Sequence, residues 1–563
     1  MTDKLLLLGD QAIALGAINA GISGVYAYPG TPSTEITEYI QEHPLAVQRN
    51  IHRQWCANEK TAMEAALGVS FVGKRALVCM KHVGMNVAAD AFINSAMTGV
   101  NGGLVVVAAD DPSMHSSQNE QDSRFYGKFA FVPTFEPSSQ QEAYDMVSEA
   151  FDLSERIGLP VLMRITTRMA HSRAIVTPGK VRAQNALSTP RNPADWVLLP
   201  VNARRRYREL LAAQPAIEEY AENANAYFDG PDTSMGIIAC GIGYNYVMEN
   251  RAACGGELTD RSRPVARRAV AEQRREVTLC TDAKIGGGGA DVSQYPILKI
   301  THYPLPVERL RAMAVRCRSL LVVEDGQPFV EEQLRGILPT ACIIKGRLSG
   351  DLPRTGELNP DNVRAALGLT PLEHGQASPA VVARPPALCN GCGHRDVYNA
   401  LNEELKNYPG AKVFSDIGCY TLGALPPLRA IDSCVDMGAS VTMAKGAADA
   451  GLFPSLAVIG DSTFTHSGIT GLLDAVNSNS PITVVISDNL TTAMTGGQDS
   501  AATGRLEAIC EGVGVDPAHI RVVVPIAQNM EQIRAMIREE IAYRGVSVII
   551  PRRECIQTLK RHK

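Results

Sequence analysis

The chain has 563 residues, 45% of them hydrophobic and 20% charged, with a formal net charge of −5. That is the make-up of an ordinary soluble globular protein of three or four domains, and its acidic balance and lack of a basic arm argue against a nucleic-acid surface. The run Leu5–Leu8 is too short for a signal-peptide core, no apolar stretch approaches the roughly 18 residues of a membrane span, and thirteen scattered cysteines suit reduced thiols and metal ligation better than a disulfide framework. A cytoplasmic protein is expected.

Residues 1–180 alternate helical and strand patterns and read as a doubly wound α/β domain. A helix is predicted over Gln11–Ala20, with strands at Val25–Tyr28, Ala76–Met80 and Leu104–Ala108. The first strand ends in the tight turn Pro29-Gly30-Thr31-Pro32-Ser33, and Thr34-Glu35 opens the next helix. Thr31, His82 and Asn86 are placed on loops facing one cleft. Lys81-His82 follows a strand end, a position suited to substrate binding or proton transfer. The run His115–Arg124 is too hydrophilic for core and is read as a cleft loop, with Arg124 a candidate for a substrate carboxylate. Glu59, in Asn58-Glu59-Lys60, is either the acid of a helix N-terminus near Thr61 or a functional carboxylate.

Residues 181–232 are expected to be a linker with a short basic amphipathic segment at Arg204–Leu211. Residues 233–350 form a smaller α/β unit, with strands at Met235–Cys240 and Leu320–Val323 and a helix at Pro328–Leu338. Within it, 251–293 is rich in arginine and glycine and lacks periodicity, which predicts loop or disorder. A Pro- and Gly-rich linker, 351–387, leads to a last α/β domain over 388–563.

That domain opens with Cys389-Asn390-Gly391-Cys392, followed by a strand Lys412–Ser415 and the turn Asp416-Ile417-Gly418-Cys419. Met437-Gly438-Ala439-Ser440 precedes a small-residue helix. Two buried parallel strands are predicted at Leu456–Ile459 and Ile482–Ile486, joined by a helix carrying Ile469, Leu472, Leu473 and Val476. Their polar tips, Gly460-Asp461-Ser462 and Ser487-Asp488-Asn489, then share the carboxyl edge of one sheet, where such sheets bind ligands. The carboxylate of Asp461, the amide oxygen of Asn489 and the carbonyl of Thr491 are hard oxygen donors suited to Mg²⁺. The small residues Gly460 and Ser462, with a helix N-terminus behind them, suit a diphosphate. A helix Met530–Tyr543, a strand Val546–Ile550 and Cys555 complete the chain. Cys389 and Cys392 by themselves fit buried thiols, a redox pair or half a metal site.

The tips, about 28 residues apart, resemble the thiamine diphosphate signature, with Ser462 where many members have glycine. The longer string GDSTFTHSGI…DNLTTAMTGGQ resembles the α subunit of indolepyruvate ferredoxin oxidoreductases. So do YPGTPSTEI, NEKTAMEAALG, KHVGMNVAAD and ADDPSMHSSQNEQDSR in the first domain, and GIGYNYVMEN, ILKITHYPLP and LLVVEDGQPFVEEQLR in the middle one. The resemblance implies a pyrimidine-binding domain over 1–180, a transketolase-C-terminal-like domain over 233–350 and a diphosphate- and Mg²⁺-binding domain over 388–563.

It further implies that Glu59 hydrogen-bonds the cofactor's pyrimidine ring and so promotes removal of the thiazolium C2 proton. Thr31 and His82 take catalytic roles, and Gly438, Ser440, Gly460, Asp461, Ser462, Asn489, Thr491 and Met494 bind the cofactor. Asp461, Asn489 and Thr491 take Mg²⁺, and Cys389, Cys392, Cys419 and Cys555 hold an iron–sulfur cluster. The implied reaction is oxidative decarboxylation of arylpyruvates to aryl-acetyl-CoA with reduction of ferredoxin, in a hetero-oligomer with a smaller β subunit. The family's larger subunit usually continues into a ferredoxin-like module; the sequence reaches Lys563 without its repeated CxxC motifs. The rival readings are a non-oxidative thiamine diphosphate-dependent decarboxylase or lyase, and a degenerate subunit that supports a catalytic partner.

Overall fold

The computed structural model describes residues 4–251, 292–339, 341–372, 374–375, 378–382 and 386–561. The irregular stretch expected at 251–293 lies, but for its ends, outside the described residues. The chain divides into two compact units, one of residues 1–54 and 62–375, the other of residues 55–61 and 376–563.

The first unit holds two large sheets and a two-stranded antiparallel one, Leu5–Leu8 against Arg173–Val176. One has the strand order His302–Tyr303, Thr134–Phe135, Val161–Thr166, Leu104–Asp110, Ala76–Lys81, Gly24–Ala27. All its neighbours are parallel except the outermost pair, His302–Tyr303 against Thr134–Phe135. The three strands expected here lie side by side at one edge of it. The strand Val161–Thr166, which the sequence pattern did not suggest, is central and wholly buried. The reason is Arg164, a charge in mid-strand that breaks the apolar run. Its guanidinium is fully buried and reaches Asp110 at 2.7 Å and Glu136 at 2.5 Å, and it donates to the Asp325 carbonyl at 2.7 Å.

The second sheet of this unit runs Ile343–Lys345, Ser319–Val323, Gly236–Cys240, Ile297–Ile300, Ala226–Phe228, parallel except for the last strand. The stretch around Arg204–Leu211 belongs to a 25-residue helix, Pro200–Ala224. Arg206 there donates to the carbonyls of Met97 and Thr98 at 2.9 and 3.1 Å, satisfying the end of the helix His82–Thr98.

Arg124 is also spoken for. It is fully buried and pairs with Asp122 at 2.5 Å and with Glu324, just past the strand Ser319–Val323, at 3.0 Å. Glu324 in turn accepts from the backbone N–H groups of Val330 and Glu331 at the start of the helix Phe329–Ile337. Arg124 is therefore an internal tie between the two sheets, which corrects its reading as a substrate-facing arginine. Burial pushes Glu324 up to about 7 even with Arg124 beside it. Removing the guanidinium leaves Glu324 without its buried cation and Asp122 with only Arg164, at 3.6 Å, so Arg124→Met is expected to cost about 3–5 kcal/mol in urea unfolding. A variant of normal stability with a raised KM would restore the substrate role.

The second unit is built on a six-stranded, all-parallel sheet ordered Ser433–Cys434, Lys412–Ser415, Ser455–Gly460, Ile482–Ser487, Ser547–Pro551, Ile520–Val523. Successive side chains feed separate cores. Leu456 and Val458 pack with Tyr398, Leu401 and Ile537 on one side; Ala457 and Ile459 pack with Val441, Leu472 and Val548 on the other. Strands buried on both faces explain the unbroken β-branched runs. In the connecting helix Ile469–Asn477, Leu472 is buried while Leu473, expected on the same face, is exposed.

Candidate functional site

Three adjacent strands of this sheet end on an aspartate: Lys412–Ser415 on Asp416, Ser455–Gly460 on Asp461, and Ile482–Ser487 on Asp488. All three carboxylates are buried. Asp416 accepts from Gly438 N and Ser440 N, both at 3.2 Å, from Ser440 Oγ at 2.5 Å, and from the Tyr420 hydroxyl. Asp488 is paired with Arg552 at 2.6 Å. Asp461 differs, because its Oδ2 is buried and has no partner. Burial pushes its carboxyl up to about 7; Ser500 opposes this, and the Asp488 carboxylate adds to it.

A buried carboxylate with a free oxygen calls for a cation. The strand register sets Gly460 beside Ser487, so Asp461 and Asp488-Asn489 leave the same edge together. Asn489 folds its Oδ1 back to Thr491 N at 3.2 Å across Leu490, whose φ is +63°. Thr491 and Thr492 form a small ribbon with Gln498–Asp499, and the Thr491 hydroxyl donates to the Gln498 carbonyl at 2.9 Å. Ser462 Oγ lies 2.6 Å from Thr492 Oγ1. The donors there are a carboxylate, an amide oxygen and nearby carbonyls, hard oxygens that fit Mg²⁺.

The glycines have local reasons as well. A Cβ on Gly460 would come within 2.5 Å of the Tyr420 ring, the ring whose hydroxyl holds Asp416. Gly438 has φ +92°, and a Cβ there would sit 2.6 Å from the Ser467 Cβ. Ser440 turns its hydroxyl to Asp416. Asp416 repeats the strand-end aspartate of Asp461 and Asp488, which is the signal in the sequence that marks it.

Residues 55–61 cluster with this second unit. Asn58, not Glu59, caps the helix Glu59–Phe71, since its Oδ1 accepts from Thr61 N at 2.8 Å. That frees the Glu59 carboxylate, which is buried and meets His466 Nε2 at 2.8 Å. Asn58 Nδ2 donates to the His466 carbonyl at 3.0 Å. His466 sits in a π-helical turn, Phe464–Gly468, a local widening that often marks functional positions. Its Nδ1 lies 2.5 Å from Ser467 Oγ. Nothing in the local sequence singles out His466, which lies 407 residues from its partner.

The four cysteines named from the sequence converge. Cys389, Cys392, Cys419 and Cys555 all line one cavity of about 290 Å³, together with Asn489 and Met494. All are free thiols, and Gln557 donates to Cys389 Sγ at 3.2 Å. Burial pushes Cys419 up to about 12, with Cys555, Cys392 and Cys389 adding to it. Thiols that hinder one another's ionisation are the donor set that a cationic iron–sulfur centre would satisfy. Cys555 N also donates to the Asn489 carbonyl at 3.1 Å, joining the cavity to the strand tip.

The remaining predicted residues belong to the first unit. Thr31 is half-buried in the turn after Gly24–Ala27. His82 and Asn86 are not on loops, as expected, but in the first turns of the helix His82–Thr98. His82 is buried with Nε2 3.2 Å from the Asn119 carbonyl, and its Nδ1 has no partner. Asn86 accepts from the Tyr126 hydroxyl.

Residues 15–228 match the family described as pyruvate flavodoxin/ferredoxin oxidoreductase, thiamine diP-binding. Residues 416–550 match the thiamine pyrophosphate enzyme C-terminal TPP-binding domain. Indolepyruvate oxidoreductase subunit IorA of Archaeoglobus fulgidus is 37% identical over 98% of this chain and 86% of its own length. The IorA subunit of Methanothermobacter thermautotrophicus is 35% identical over 98% and 87%. The 2-oxoglutarate synthase subunit KorA of the same organism is 26% identical, over 64% of this chain and 98% of its own. The fold and these matches define a thiamine diphosphate-dependent 2-oxoacid oxidoreductase. Within that class, the chain belongs to the family of indolepyruvate oxidoreductase subunit IorA.

Proposed function

We propose that this chain is the thiamine diphosphate-bearing subunit of an enzyme that oxidatively decarboxylates arylpyruvates such as indolepyruvate. It passes the electrons to ferredoxin and the acyl group to coenzyme A, and works in the cytoplasm with a smaller β subunit. When bound, thiamine diphosphate supplies a nucleophilic carbon that adds to the ketone and accepts the electron pair left by CO₂.

The chain's own residues would do the rest. Asp461, Asn489 and the Thr491 carbonyl would hold Mg²⁺, and Gly460, Ser462, Gly438 and Ser440 would receive the diphosphate. Glu59 holds or yields a proton at the pyrimidine edge, and His466, 2.8 Å away, fixes the carboxylate's direction. Thr31 and His82 serve the substrate side. Met494 and Asn489 line the cysteine cavity, so the loop that carries a cofactor ligand also borders the candidate electron acceptor.

That shared wall carries the oxidative reading over the lyase reading, because a lyase has no use for four convergent thiols. Anaerobically prepared protein is expected to contain iron and sulfide for one [4Fe–4S] cluster. Cys392→Ser should lose the cluster while retaining thiamine diphosphate. With the smaller subunit, wild type should reduce a one-electron acceptor when given an arylpyruvate and coenzyme A. Release of free aldehyde at full rate, without iron and without a partner, would establish the lyase instead. Intact cofactor binding without turnover in any pairing would leave the degenerate subunit.

A further inference from the structure

In the first unit, three ionisable side chains with no role assigned above meet one another. Asp10, Glu35 and His171 each place a ligand-capable atom within 4.8 Å of the other two. Asp10 stands in the first turn of the helix Gly9–Asn19, Glu35 in the first turn of Thr34–Glu42, and His171 at the end of Thr167–His171. Their approach is built into the backbone. A Cβ on Gly9 would lie 2.0 Å from the Met169 carbonyl oxygen, so only glycine lets the Asp10 helix start against the turn that carries His171.

Asp10 is the informative member. It is 0% exposed, and no N–H or hydroxyl group reaches either carboxylate oxygen, its one polar partner being the Glu35 carboxyl. An acid in a helical first turn ordinarily earns its place by favouring the helix N-terminus, yet Asp10 accepts no N–H there. Glu35 Oε2 is likewise buried with no N–H or hydroxyl donor, the Glu35 carboxyl meeting Asp10 on one side and, through Oε1, His171 Nε2 at 3.5 Å on the other. Burial, and next the Glu35 carboxylate, push the Asp10 carboxyl well above its usual range. The nearby Cys79 thiol is pushed up by burial and by Asp10, so it stays neutral and is not counted as a donor.

We propose that Asp10, Glu35 and His171 form a divalent transition-metal site, with the solvent-exposed side at His171 admitting water to complete the coordination. Two carboxylates and one imidazole are borderline donors that suit Zn²⁺ better than Mg²⁺, which favours oxygen alone. The role is structural. The ion would clamp the start of the helix Thr34–Glu42, and with it the preceding turn that carries Thr31, onto the Gly9–Asn19 helix.

The test uses the full chain, stripped with a chelator, saturated with Mg²⁺ and then titrated with Zn²⁺. Zinc taken by the cysteine cavity is common to all variants and cancels. Wild type should hold one more equivalent of zinc than either His171→Ala or Glu35→Gln. X-ray absorption at the zinc edge should assign the extra ion to nitrogen and oxygen at about 2.0–2.2 Å rather than sulfur. Zinc should also raise the melting temperature of wild type and not that of His171→Ala, whose exposed imidazole can be removed without opening the core. Equal zinc content in wild type and both folded variants would overturn the site, and would mean that Asp10 and Glu35 share a proton instead.

Discussion

Asp461→Ala is expected to weaken Mg²⁺-dependent thiamine diphosphate binding by at least about 100-fold, since it removes a direct ligand where even outer partners commonly matter 10- to 100-fold. Circular dichroism should be unchanged, because Asp461 Oδ2 has no partner and the substitution gives up only one side-chain hydrogen bond, to Ser500. The neighbouring aspartates serve as contrasts. Asp488 is neutralised by Arg552, and Asp416 is saturated by the Gly438–Ser440 loop, so their loss should act first on stability. Proton competition gives a second signature. With the Asp461 carboxyl raised to about 7 by burial, a proton must leave before the metal enters. Affinity by calorimetry should therefore fall about tenfold per unit as pH drops below about 7. The free protein responds in the opposite sense. A carboxyl that holds its proton more tightly folded than unfolded adds stability at low pH, and that contribution fades as pH rises through about 7. Unchanged cofactor affinity in Asp461→Ala, or affinity flat with pH, would remove Asp461 from the metal site.

What the sequence made legible follows from how locally each feature is encoded. Ile482–Ser487 and Ser455–Gly460 are buried on both faces, so their apolar runs are continuous and their ends abrupt. Val161–Thr166 is equally buried but hides behind Arg164, whose compensation by Asp110 and Glu136 comes from other elements. The same division holds in the site. That Asp461 ends a strand is visible in the sequence. That it alone of the three strand-end aspartates keeps an unpartnered oxygen depends on Arg552 and Ser440, which no spacing announces. Arg124 shows the converse error, since a polar stretch read as a cleft loop carries an arginine that turns inward. The four cysteines are legible through the family resemblance and not through spacing, because a CxxC pair, a Gly-Cys turn and a late cysteine meet only once the sheet is folded.

Glu59→Gln is expected to retain thiamine diphosphate within a few-fold while slowing exchange of the cofactor's C2 proton by about 10²- to 10⁴-fold, the usual worth of a positioned acid–base group. The structure narrows what else Glu59 could be doing. The cap of its helix is Asn58, so the amide substitution leaves the helix start intact. Glutamine preserves size and can still hydrogen-bond to His466, so the buried pair need not collapse. What glutamine cannot do is gain and lose a proton. His466→Gln should then have a smaller effect of about tenfold, because it disturbs the direction of the carboxylate without removing it. The C2 exchange rate, followed by proton NMR after rapid quench, reads this step apart from substrate binding, cluster content and the partner subunit. Should Glu59→Gln exchange at the wild-type rate with cofactor fully bound, the Glu59–His466 pair is a structural tie and the proton is handled elsewhere. Slow exchange in Glu59→Gln, with Cys392→Ser exchanging normally, would separate the activation of the cofactor from the route of its electrons.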